Sequence, residues 1–151
     1  MTLPVADRLE LSDLVHRYAA GVDARDIDSV VELFTGTARL VMPAPPDVLV
    51  PEIRHDGRAG VRAALAALDG VLRTQHAITG EVFTRTGADT ATGSISGAAH
   101  HWIDKDDRIT DVIWYLRYAD SYARTEQGWR FAARALSIDA IETRPARQVR
   151  R

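Results

Sequence analysis

The chain has 151 residues, a formal net charge of −2 from 21 acidic and 19 basic side chains, and no cysteine. One domain of that length encloses a core and a small-molecule cavity together, and the interspersed charges offer neither a basic field for nucleic acid nor an acidic tail. Without a thiol there is no disulfide, no thiolate nucleophile and no cysteine-ligated zinc.

The opening Met1-Thr2-Leu3-Pro4-Val5-Ala6-Asp7 has no basic segment leading into an apolar run, and nowhere do about 18 apolar residues follow one another. A soluble cytoplasmic protein with no membrane partner is expected. A small, roughly neutral ligand or a protein is the expected partner.

From Asp7 to Val22, Leu9, Leu11, Leu14, Val15, Tyr18 and Val22 recur mostly at spacings of three and four, and Asp7 is available as an N-cap. This predicts an amphipathic helix of about four turns, its last turn loosened by Gly21. Asp26 to Phe34 repeats the pattern in miniature, capped by Asp26 or Asp28 and stopped around Gly36. Ala38 to Met42 alternates as a first strand. Pro43, Pro45, Pro46 and Pro51 then predict a long irregular segment, a lid or cavity wall. Gly57 to Leu68 is a third helical pattern, ending at Asp69-Gly70.

Four β-patterned runs follow: about Leu72 to Thr84, Thr90 to Ile103, Ile109 to Arg124 and Trp129 to Ile141. Short turn sequences at Thr86–Asp89, Asp104–Asp107 and Glu126–Gly128 separate them, so an antiparallel meander is expected. Helices first and a curled meander second is an α+β arrangement, a sheet wrapped around a helix to leave an open cone. Gly93 and Gly97 are candidate sites of curvature. The domain is read as residues 1–143, with 144–151 as a basic, frayed tail.

Leu72-Arg73-Thr74-Gln75-His76-Ala77-Ile78-Thr79-Gly80 places one histidine in a strand. Alternation puts Leu72, Thr74, His76 and Ile78 on one face, a set that suits a mixed polar and apolar cavity wall. A satisfied core histidine is the competing reading. Asp23 follows the apolar face of the first helix, and with Asp26 and Asp28 free to cap, it is surplus to the corner. A carboxylate on an imidazole nitrogen fixes the tautomer and raises basicity, giving a general base near neutral pH. His100 and His101 point to opposite faces, so at most one enters a given pocket. Adjacent strand residues diverge and make a poor metal site. An imidazole across the cavity from His76 would serve as a general acid. Tyr18, Trp102, Trp114, Tyr115, Tyr118, Tyr122 and Trp129 supply aromatic surface, mostly for core packing. His16 and His55 are read as surface or loop residues.

The acidic corner, Pro-rich segment, third helix and meander closing on Gly128-Trp129-Arg130-Phe131-Ala132 resemble the SnoaL-like branch of the nuclear transport factor 2-like (NTF2-like) superfamily, and within it the scytalone dehydratase-like proteins. Leu14-Val15 through Asp23, Leu72-Arg73-Thr74-Gln75-His76 and the strand Gly93 to His101 carry the likeness. It implies a cone-shaped α+β fold with three N-terminal helices packed in a curved mixed or antiparallel sheet. It also implies a homodimer or homotrimer, a hydrophobic small-molecule substrate, and no metal or organic cofactor. The family's acid and base map onto Asp23, His76 and His101, with His100 possible after a one-residue slip. Tyr18, Val22, Met42, Thr74 and Tyr118 are the candidate substrate contacts. The dehydratase pattern has carbonyl-polarising tyrosines where this chain has Val22 and Met42, neither able to donate that hydrogen bond. Its late-strand serine and asparagine have no clear match around Leu116 to Tyr118. Proton transfer on a different carbonyl compound, polyketide-like or terpenoid, is therefore expected: dehydration first, cyclisation or double-bond isomerisation next. The alternative is a non-catalytic ligand-binding or docking module.

Overall fold

The computed structural model describes residues 2–151. In chain order it has α1 (Val5–Asp23), α2 (Ile27–Val31), β1 (Phe34–Ala44), β2 (Val48–Asp56), α3 (Gly57–Leu65), a 3₁₀ turn (Ala66–Gly70), β3 (Arg73–Arg85), β4 (Thr90–Lys105), β5 (Arg108–Thr125) and β6 (Gly128–Ala146). The strands form one mixed sheet in the order β2-β1-β6-β5-β4-β3. All ladders are antiparallel except β1 with β6. β2 and β3 are its edges, so the sheet is not closed. No helix among the described residues is long and apolar enough to cross a membrane.

α1 buries Leu11, Leu14, Val15, Tyr18, Ala19 and Val22 on one side, a stripe at helical spacing packed into the sheet. Leu9 falls off that stripe and is exposed. Asp7 is not the cap. The helix starts two residues earlier, behind Pro4, and Asp7 is buried in its first turn, accepting hydrogen bonds from the Trp129 indole at 3.1 Å and Arg124 at 2.7 Å. Gly21 is small for a reason beyond helix loosening: a Cβ there would stand 2.6 Å from Val30 Cγ2, so α1 and α2 meet at this point only without a side chain. Asp26 caps α2 through the Ser29 amide.

The Pro-rich segment is a hairpin, not an irregular lid. β1 runs from Phe34 through Pro43, a cis Pro45–Pro46 bond lies at the turn, and β2 returns as an edge strand. Proline lacks a ladder donor and is tolerated at an edge, where one side of the backbone has no partner strand. Pro51 accordingly lies between the two registered stretches of β2, Val48 and Ile53–Asp56.

Of the two glycines expected at a bend, Gly97 faces one and Gly93 does not. The β4–β5 register runs unbroken past both, but the β3–β4 register shifts between Ile78, which pairs with Gly97, and Gly80, which pairs with Ser96; further shifts occur between Tyr115 and Leu116 and between Ser121 and Tyr122. Gly93 instead leaves room for Tyr122, whose hydroxyl an added Cβ would approach to 2.6 Å and whose ring it would approach to 2.8 Å. β6 reaches Ala146, so Arg144–Ala146 pair with Ile109–Asp111 rather than joining the tail.

The core lies between the helices and the sheet and includes Trp129, Phe131, Phe34, Tyr122, Ile95 and Leu40. Within it Arg134 and Asp120 form an ion pair with both side chains fully buried, at 2.8 Å through both Nε and Nη2. Tyr122 donates its hydroxyl to the same carboxylate.

Candidate active site

α1 ends at Asp23, and the turn after it points the carboxylate across to the start of β3, where alternation brings Thr74 and His76 inward. The three groups meet. His76 Nδ1 lies 2.7 Å from Asp23 Oδ1, the His76 backbone N–H donates to Asp23 Oδ2 at 2.9 Å, and Thr74 Oγ1 donates to Asp23 Oδ1 at 3.0 Å. A carboxylate only accepts, so Nδ1 carries the proton and Nε2 is left with its lone pair. The His76 side chain is 10% exposed and that of Asp23 is 24% exposed. Burial pushes the Asp23 carboxyl up, but the His76 side-chain and backbone hydrogen bonds, the His76 charge and the Thr74 hydroxyl outweigh it, and the net shift is below the usual value.

The β3–β4 register settles which of the tandem histidines joins them. Thr74 stands opposite His101 and His76 opposite Ala99, so His101 shares the inward face. Its ring centroid is 6.3 Å from that of His76 and 4.4 Å from that of Trp114. Nδ1 donates to the Val112 carbonyl at 2.9 Å, leaving Nε2 free here as well. Burial drives the His101 pKa down, the Val112 bond opposes it, and the net value lies below the ordinary 6.5. The ring is thus neutral at neutral pH, and it needs a proton before it can act as an acid. His100 turns outward, donates to Asp111 at 2.7 Å and stacks on Trp102.

The candidate substrate contacts divide. Met42 lies on the inward side of β1, partly exposed against the core with Ile78, Leu68 and Trp114. Thr74 is buried and committed to Asp23. Val22 is 1% exposed. Tyr18 and Tyr118 are packed core: the Arg134 guanidinium lies over both rings, 4.4 and 3.8 Å from their centroids, and the rings meet edge to face at 6.0 Å. Arg134 could not be foreseen, because a late-strand arginine carries no mark of burial in the sequence. Nor could Arg25, which reaches Thr74 from the helix corner. A groove of about 640 Å³ touches the carboxylate side of this cluster at Asp23 and Thr74, walled by Gln75, Trp102 and Val149; neither imidazole lines it.

A family model described as SnoaL-like domain matches residues 4–135. The chain belongs to the SnoaL-like domain family. No curated protein matches. Among solved structures, a Novosphingobium aromaticivorans protein provisionally named aromatic ring hydroxylase is 26% identical, over 96% of each chain, with a TM-score of 0.80. A second from that organism, provisionally named scytalone dehydratase, is 18% identical over 97% of this chain and 91% of its own, with a TM-score of 0.78. A Streptomyces avermitilis protein, provisionally named a dehydratase of the NTF2-like family, is 17% identical over 91% of this chain and 99% of its own, with a TM-score of 0.76. The fold is NTF2-like, with α+β content and a six-stranded mixed sheet.

Proposed function

We propose that this protein is a cofactor-independent lyase or isomerase acting on a hydrophobic carbonyl compound, polyketide-like or terpenoid, with dehydration as its reaction. The observation that carries the reading is the 2.7 Å bond from His76 Nδ1 to Asp23, which leaves the Nε2 lone pair as a base on the inward face. His76 removes the proton next to the carbonyl. His101 protonates the departing hydroxyl at the neighbouring carbon, closing the elimination as one water and a conjugated alkene. Because burial holds His101 neutral at neutral pH, the competent form is the one in which His101 has gained a proton while His76 has not. Cyclisation or double-bond migration uses the same two groups. The names of two fold neighbours include dehydratase; at their level of identity they share the fold, and the proposal rests on the dyad.

Asp23, His76 and His101 are the proposed catalytic residues. Met42 is the proposed apolar contact on the inward side, and a homodimer or homotrimer, checked by sedimentation equilibrium, is the proposed assembly. The test is a mass-spectrometric screen of β-hydroxy ketones for loss of water, repeated with His76→Ala. Each acid or base is worth roughly 10²–10⁴-fold, so turnover should fall by that order. A His76→Ala protein with full turnover would sink the assignment. Ligand binding without turnover of any β-hydroxy ketone would favour a binding module.

A further inference from the structure

Arg25 occupies left-handed backbone, φ 58°, just past the end of α1, where glycine is the usual residue because a Cβ is disfavoured there. Its side chain makes three hydrogen bonds to three separate segments. Nη1 donates to the Val22 carbonyl and to Thr74 Oγ1, both at 2.8 Å, and Nη2 donates to the Val71 carbonyl at 3.4 Å. A strained backbone held by its own side chain beside a candidate site marks a residue selected for what that side chain does.

The direction of these bonds is not free. A guanidinium has donors and no acceptor, so its bond to Thr74 uses a lone pair of the hydroxyl and leaves the hydroxyl hydrogen to point elsewhere. Asp23 Oδ1, 3.0 Å away, receives it. We infer that Arg25 is a positioning residue for the dyad: it aims the Thr74 hydroxyl at Asp23 Oδ1, so that the carboxylate is clamped by Thr74 and the His76 amide and offers one fixed lone pair to His76 Nδ1. Charge-assisted donation into the hydroxyl also polarises it, strengthening the next bond in the chain. The inference rests on the reading of His76 as a base, but the geometry it concerns exists without any substrate.

A clamp that merely closed the corner would need only the bonds to Val22 and Val71. The two roles separate by substitution. Thr74→Val keeps the corner bonds and removes the hydroxyl. Arg25→Gly removes the whole side chain while relieving the left-handed backbone, and Arg25→Asn does so with a residue that also tolerates this region. The measurement is the Nδ1 proton of His76 in histidine-labelled full-length protein, assigned by its loss in His76→Gln.

In the unmodified protein this proton, held in a 2.7 Å bond to Asp23, is expected to give a downfield line. In Thr74→Val and in the folded Arg25 variant the line is expected to move upfield and to exchange with water roughly tenfold faster, as a less rigidly held hydrogen bond does. An unchanged line in Thr74→Val, or in whichever Arg25 variant folds, overturns the inference. Full turnover by His76→Ala would remove the base assignment and leave this result standing, so the two failures are distinguishable.

Discussion

Four histidines in this chain donate from Nδ1 to an acceptor that cannot donate back, and three of them lie on the sheet: His76 to a carboxylate, His101 to a carbonyl, and His100 to a second carboxylate, while His16 on α1 bonds the Ser12 carbonyl. Asp23→Asn tests the meaning of the first. An amide can present its N–H to the ring and favour the wrong tautomer. Turnover in the dehydration assay is expected to drop about 10²–10⁴-fold with the fold intact by circular dichroism. The second sets a pH dependence. If His101 is the acid, the kcat/KM profile has a limb set by its lowered pKa, on the acid side of 6.5; His101→Gln should abolish that limb. Stability carries the matching sign. His101 binds its proton more weakly folded than unfolded, so its contribution is present above 6.5 and is lost as pH falls through and below that value. Asp23, lowered from 3.8, contributes above 3.8 and is lost as pH falls through its folded value. Denaturant midpoints measured across this range should decline toward acid in two stages. His76 and Asp23 were legible because a strand histidine and a surplus corner carboxylate are local features. The acid-side restriction on His101 was not, because it comes from residues that bury the ring.

At the level of elements, strand alternation assigned Thr74 and His76 to one face correctly, because period two holds as long as a strand has no bulge. It could not choose between His100 and His101. The partner strand's register chose, through Thr74 opposite His101. Proline misled the reading of the segment after Met42: it disrupts interior ladders, but the hairpin puts β2 at an edge, and sequence does not say which strand lies outermost. The α1–α2 corner that carries Asp23 depends on Gly21. Gly21→Val would drive a side chain into Val30, 2.6 Å from the ideal Cβ. Chemical denaturation should register a loss of about 1–3 kcal/mol, the usual cost of overpacking. An unchanged midpoint would mean that α2 moves aside freely.

For the whole molecule, the buried Arg134–Asp120 pair joins β5 to β6 under the aromatic rings of Tyr18, Tyr118 and Phe131. Arg134→Met strands a carboxylate in the core and should cost about 3–5 kcal/mol in equilibrium unfolding. Adding Asp120→Asn, which removes the stranded charge, should recover part of it. If the single variant is as stable as the unmodified protein, the pair is not a fastening point. The amino-acid sequence by itself determined the α+β class, three of the four meander strands to within two residues at each end, and the candidate dyad, because periodicity, turn residues and a surplus carboxylate are short-range properties of a chain. Tertiary structure alone decided that Tyr18 and Tyr118 pack on a buried arginine, that His101 rather than His100 faces inward, that the proline-rich segment is an edge hairpin, and that Arg25 reaches Thr74. Each of these turns on which distant segments touch, and a contact between residues dozens of positions apart leaves no periodic trace along the chain.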